Sequence, residues 1–221
     1  MSVVKQDIDS VSVPVGQIAL EGELNIPLRA TGLVLFAHGS GSSRHSPRNQ
    51  WVAKTLRQSG IGTLLFDLLT RREEQEDAAT GHLRFDIQLL AQRLLAATDW
   101  CNANCPELSI GYFGSSTGGG AALVAAAVST VPIAAVVARG GRPDLAGPLL
   151  ARVIAPTLLL VGSRDTEVVE LNRRAAEAMI CTRELRLVEG ATHLFQEPGA
   201  LQSVARAAAD WFEKYLRSAA P

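Results

Sequence analysis

Only three cysteines, Cys101, Cys105 and Cys181, occur in the 221 residues, and no two of them form a C-x-x-C pair. An odd, scattered set suits reduced thiols better than a disulfide framework, and no histidine stands at ligand spacing to complete a zinc site. Net charge is also missing: the formal value of −1 at pH 7 offers nothing to a nucleic acid or another polyanion. No apolar run is long enough to span a bilayer, and the first ten residues, MSVVKQDIDS, lack the apolar core of a signal peptide. A soluble, cytoplasmic chain with no membrane partner is the expectation. Neither G-x-G-x-x-G nor G-K-[ST] occurs, which disfavours a nucleotide site. No cofactor and no metal are expected.

What is present is apolar and periodic. Hydrophobic residues make up 47% of the chain, enough for one substantial core, and residues 1–221 read as a single α/β domain. Val11-Val13-Val15 and Ile18-Leu20-Gly22-Leu24-Ile26 alternate like two strands with one wet face, joined at Gly16 as an antiparallel hairpin. The runs Gly32 to Ala37, Ile61 to Phe66, Leu108 to Phe113, Ile133 to Ala138 and Pro156 to Gly162 are more continuously apolar, as strands covered on both faces should be. Arg183 to Glu189 supplies a further strand. Helical spacing appears in Asn49 to Gln58, Leu83 to Asn104, the alanine-rich run after Gly120, Thr166 to Met179 and Ala200 to Leu216. This alternation predicts a mostly parallel sheet of about eight strands with helices on both faces. Thr70 to Gly81, TRREEQEDAATG, reads as a charged, solvated surface loop. The connection from Arg139 to Ala155 is too short to hold a cap domain.

The chain is organised around LSIGYFGSSTGGGAALVAAA, residues 108–127, whose centre Gly114-Ser115-Ser116-Thr117-Gly118 fits G-x-S-x-G between a strand and a helix. A serine placed on a tight strand-to-helix turn needs small residues two places before and after it, so that backbone can pass close by. Only Ser116 meets this condition, because Ser115 has Phe113 two places before it. The plainer readings, a packing turn or a phosphate nest at a helix N-terminus, lack any of the usual phosphate motifs.

In an open parallel sheet the loops at the carboxyl ends of the strands share one edge. His38-Gly39-Ser40, Ser116, Asp165 and His193 all fall on such loops, and the last three follow the order serine, acid, histidine. A serine hydroxyl becomes a useful nucleophile when an imidazole takes its proton, and the imidazole needs a carboxylate on its other nitrogen. Asp165 could instead merely cap the following helix, and Glu167 reads as a helix-dipole residue. His193 is the one histidine after Asp165. For the developing oxyanion, the donors expected are the amide of Thr117 and the amide of Ser40, with Gly39 as the alternative. His38 should brace that loop, while His45 and His82 carry no assigned role.

These residues resemble the α/β-hydrolase superfamily, and within it the small dienelactone-hydrolase-like proteins. The resemblance rests on HGSGSSRHSPRN at 38–49, GYFGSSTGGGAAL at 111–123, GSRDTEVVELN at 162–172 and GATHLF at 190–195. It implies the triad Ser116, Asp165 and His193, an oxyanion loop at Ser40, a lidless core and ester hydrolysis. Authentic dienelactone hydrolases carry cysteine where Ser116 stands, so the resemblance does not extend to a dienelactone substrate. A carboxylesterase-like serine hydrolase of a small soluble ester, lactone or thioester is the expectation, as a monomer or small homo-oligomer. The alternatives are a catalytically silent binding protein on the same fold and a dienelactone-type C–O hydrolase using serine. The strand-end loops also carry Arg44, Arg48, Arg71, Arg72, Arg139, Arg142 and Arg164. Most of these should be solvated or paired with acids such as Asp67 and Asp144. Arg139, directly after a buried strand at the nucleophile edge, is the candidate to grip a substrate carboxylate.

Overall fold

A computed structural model describes residues 8–216. Asp9–Val15 (β1) and Ile18–Asn25 (β2) pair antiparallel across a turn at Gly16, whose φ of 59° suits a residue without a Cβ. Along the hairpin only alternate side chains such as Val13 and Leu20 are buried, which gives the wet face that the alternation predicted.

Leu33–Ala37 (β3), Gly62–Phe66 (β4), Ile110–Ser115 (β5), Ile133–Arg139 (β6), Thr157–Gly162 (β7) and Arg183–Val188 (β8) form the parallel part of the sheet. The full order is β1-β2-β4-β3-β5-β6-β7-β8, with β2 antiparallel to β4. The chain leaves β3 to one side for β4 and returns past it to β5 on the other. Loops diverge at such a reversal, so a crevice opens where β3 and β5 end. The His38 loop follows β3 and Ser116 follows β5, so the fold brings both to that crevice.

β3 shows why the sheet is covered twice. Val34 and Phe36 pack with Val52 and Leu56 of Pro47–Gln58 (α1) and Val204 and Phe212 of Ala200–Tyr215 (α6). Leu33, Leu35 and Ala37 face the other way, toward Leu90 and Leu94 of Ile87–Asn104 (α3) and Ala121 and Ala125 of Thr117–Val128 (α4). A period of two on a strand lying between two layers of period 3.6 yields two cores, one on each face. Thr166–Ala178 (α5) completes the helical layers beside β7 and β8.

The segment from Thr70 to Gly81 corrects the expectation of a solvated loop, because Arg71–Thr80 (α2) is helical. Thr70 Oγ1 accepts from the Glu73 amide at 3.2 Å and Glu73 Oε2 accepts from the Thr70 amide at 2.7 Å, a reciprocal capping box. Gly81 ends the helix at φ 68°. The helix expected from Leu83 is likewise split: a 3-10 turn at Leu83–Phe85 precedes α3, which starts where the Asp86 side chain accepts from the Leu89 amide at 3.0 Å. Pro143–Arg152 forms two short 3-10 turns parted at Gly147, packed on α4, and no cap domain is present among the described residues. No helix among them is long and apolar enough to cross a membrane.

Candidate active site

Ser116 sits at φ 51°, ψ −120°, a conformation that a non-glycine residue adopts only when its surroundings force it. The forcing is visible. Its amide donates to the Arg139 carbonyl at 3.2 Å, and its own carbonyl accepts from the amides of Gly119 at 2.9 Å and Arg142 at 3.0 Å. A Cβ at Gly114 would lie 2.5 Å from the Gly118 carbonyl oxygen, and one at Gly118 would lie 2.1 Å from that of Ala37. Both glycines are therefore obligatory for backbone to cross backbone at this turn.

Asp165 precedes α5 in the N-cap position, yet its side chain makes no capping bond. Its Oδ2 instead lies 2.6 Å from His193 Nδ1. Simple capping, the bland alternative, is thereby set aside by geometry. Two loops hold this pair together. The Arg164 amide donates to the Ala191 carbonyl at 3.0 Å, and the Gly190 amide donates to Ser163 Oγ at 2.8 Å. A Cβ on Gly140 would lie 3.5 Å from His193 Cε1. Gly140 directly follows Arg139, whose carbonyl fixes Ser116, so the imidazole stands beside the elbow that the chain makes at Ser116.

Two features of the histidine loop escaped sequence reasoning. Glu197 Oε1 accepts from both the Thr192 amide, at 3.1 Å, and the Thr192 hydroxyl, at 2.6 Å, and the hydroxyl bond is the first cause holding its carboxyl below the usual range. Phe195 adopts φ 54° with its ring buried. Nothing in E-P-G or in a lone phenylalanine signals either feature.

The loop after β3 lies against the elbow: a Cβ on Gly39 would stand 3.2 Å from Ser116 Cβ. His38 braces it. Its Nε2 accepts from the Leu68 amide at 3.0 Å, so the proton resides on Nδ1, which donates to the Gly39 carbonyl at 3.0 Å. Burial depresses the His38 pKa, and the ring is held neutral. The Ser40 amide, expected to face an oxyanion, donates to Thr117 Oγ1 at 2.9 Å. That bond ties the loop to the first residue of α4. The Thr117 amide, as the first of a helix, has no intrahelical acceptor.

Among the arginines, Arg44 pairs with Asp67 and Glu21, Arg71 with Glu21, Arg72 with Glu76 and Arg142 with Asp144. Arg139 was expected at the rim as a direct anchor. Its side chain turns inward instead and is 8% exposed, with Nη2 3.4 Å from Asn49 Oδ1 and its charge 6.0 Å from the Phe195 ring centroid. A cavity of about 570 Å³ opens beside the Gly39-Ser40 loop, between the start of α1, the end of β4, α2 and α3, with Leu68, Leu69 and Leu90 on its apolar wall; Ser116, Asp165 and His193 are not among the residues that line it.

No family model matches this sequence. Two proteins of Mycobacterium tuberculosis that bear the provisional name phosphoribosyl transferase are each 52% identical over 215 residues, 96% of this chain but 48% of theirs. The chain thus spans about half the length of the curated relatives it matches. Of solved structures, a dienelactone hydrolase from Anabaena variabilis is 56% identical, with a TM-score of 0.94 over 96% of this chain and 99% of that one. Est1E from Butyrivibrio proteoclasticus shares the fold, with a TM-score of 0.78 at 16% identity over 93% of this chain and 98% of its own. The chain belongs to the α/β-hydrolase superfamily, among its dienelactone-hydrolase-like members.

Proposed function

We propose that this chain is a cofactor-independent serine hydrolase that cleaves a small ester, lactone or thioester through an acyl-enzyme. The contact between His193 Nδ1 and Asp165 Oδ2, made in preference to helix capping and beside a strained Ser116, is the observation that carries the reading. In the proposed sequence Ser116 Oγ attacks the carbonyl carbon while His193 Nε2 takes its proton. Asp165 keeps the other ring nitrogen protonated and stabilises the imidazolium. The carbonyl electrons pass to oxygen, where the Thr117 amide donates. A second amide from the Gly39-Ser40 loop completes the hole, Gly39 directly, or Ser40 once its proton is shared with the oxyanion. Collapse re-forms the carbonyl and expels the alcohol or thiol, which receives the proton from His193. A water activated by the same imidazole then releases the acid and frees Ser116.

A cavity of about 570 Å³ suits a small molecule, and the absence of a cap among the described residues leaves little apolar wall for a long acyl chain. Short acyl groups should be preferred. The name carried by the mycobacterial relatives covers a protein about twice as long, so it is not carried over to the half shared with this chain. The test is labelling by a fluorophosphonate probe, followed by rates on p-nitrophenyl esters of graded acyl length. Labelling at Ser116, lost in Ser116→Ala, is the expected result. An unlabelled but folded protein would favour a catalytically silent binding protein.

A further inference from the structure

The sheet ends in two edges, and they are unlike. β1, at one end, pairs with β2 alone, and Pro14 near its close has no amide to offer a further strand. β8, at the other, pairs with β7 alone, and Arg183-Glu184-Leu185-Arg186-Leu187-Val188 contains no proline. The direction of its backbone follows from two bonds: the carbonyls of Thr182 and Val188 accept from the amides of Thr157, which opens β7, and Ser163, which follows it. Successive residues of a strand turn their N–H and C=O to opposite sides. Thr182, Glu184, Arg186 and Val188 thus face β7 with these groups. Arg183, Leu185 and Leu187 turn theirs outward, where no strand receives them among the described residues. A groove of about 430 Å³ between β8 and α6, with Arg186, Leu187, Arg206 and Asp210 on its walls, shows that the helical layer stops short of this edge.

A row of free amides and carbonyls is a template for another strand, and the side chains specify which strand fits. Glu184 and Arg186 share one face of β8, both half-exposed, and pair at 2.7 Å. When two copies align antiparallel about a two-fold axis, one residue faces its own counterpart and thereby names the register. With Arg183, Glu184 or Arg186 on the axis, like charges oppose each other. With Leu187 there, Leu185 opposes Glu189 and Arg186 opposes Val188. Leu185 on the axis sets Glu184 against the second copy's Arg186, and Arg186 against its Glu184, in the close pairs that exchange no main-chain bonds. The same register lets Arg183, Leu185 and Leu187 give and accept all their outward bonds. We propose that β8 is the interface of a homodimer, in which two sheets join edge to edge, antiparallel, about Leu185. Leu187, 40% exposed, then loses water against the stem of the second copy's Arg183. No residue lining the cavity beside the Gly39-Ser40 loop belongs to β8, so the pairing leaves that cavity open.

The test reads association rather than hydrolysis, so it stands apart from the serine mechanism. Sedimentation velocity of the full chain, in a dilution series reaching about 0.5 mM, covers the modest affinity expected of an interface smaller than the standard size. The mass should rise toward twice that of one chain. Glu184→Arg and Arg186→Glu each set like charges at both contacts and should raise the dimer Kd about tenfold or more. Both side chains are half-exposed, so Tm should stay within a few degrees of the parent. An equimolar mixture of the two variants restores opposite charges in every pair and should recover the association as a heterodimer. In the parent at high concentration, amide exchange should slow at Arg183, Leu185 and Leu187, and not at Glu184 or Arg186, whose amides β7 already holds. A chain that stays monomeric through the series would overturn the proposal. So would a dimer whose Kd neither variant changes, or a mixture that associates no better than its components.

Discussion

The turn at Ser116 and the α2 side of the cavity are held by different forces. At the elbow, backbone touches backbone. Gly114, Gly118, Gly119 and Gly120 each lie where a Cβ would come within 3.0 Å of another segment, and α4 is buried from Thr117 to Ala126. At α2 the helix buries only Asp77 and is held by charge, through Asp77 with Arg84, Glu73 with Arg93 at 2.6 Å, and Arg71 reaching Glu21. Close packing tolerates no added atom, whereas an ion pair partly open to water can be remade by its neighbours. The elbow should therefore fail abruptly when altered, and the α2 wall by degrees.

The sharpest break is chemical. Ser116→Ala should remove turnover by a factor of about 10⁶, the scale seen when a triad nucleophile is lost, while the melting temperature stays within a few degrees of the parent. A variant that retained several per cent of kcat on an ester turned over by the parent would disprove the nucleophile. Asp165→Asn comes next, with a loss of about 10⁴-fold from the wrong imidazole tautomer. Steady-state kinetics beside Glu167→Gln would settle which acid acts, because Glu167 should be nearly silent.

Gly118→Ala tests the packing of the same region. The new methyl would stand 2.1 Å from the Ala37 carbonyl and 2.5 Å from that of His38, two backbone atoms that cannot step aside. The expected cost is about 3 kcal/mol or more in urea unfolding, at the upper end of what forced overpacking costs. A variant as stable as the parent would mean that the crossing is looser than its distances indicate.

These contrasts also explain what the sequence revealed. Close backbone approach requires glycine, so the tight turn at Ser116 could be read from G-x-S-x-G with its trailing glycines, and the meeting of the Asp165 and His193 loops from their strand-end positions. Charged residues are ambiguous, because a salt-bridged helix and a solvated loop share the same composition. TRREEQEDAATG did contain a cue, Thr70 and Glu73 at capping-box spacing with Gly81 beyond, which the charge density outweighed. The inward turn of Arg139, the bond from the Ser40 amide to Thr117 and the bracing by Glu197 depend on contacts between distant segments, and no local pattern encodes them.

The smallest expected effect concerns the α2 wall. Thr70→Ala removes the side-chain acceptor for the Glu73 amide, a half-buried N-cap interaction whose loss costs about 1 kcal/mol. Glu73 would keep its contact with Arg93 at 2.6 Å, and Asp77 would keep Arg84, so the helix should fray at its start without detaching. Amide hydrogen exchange should accordingly quicken in residues 71–75 while the strands of the central sheet keep their protection, because opening here need not pass through global unfolding. The global midpoint should move by a few degrees at most. A cooperative loss of protection reaching β3 and β5 would show that α2 is bound into the core as firmly as the elbow, and the proposed difference between the two regions would fall.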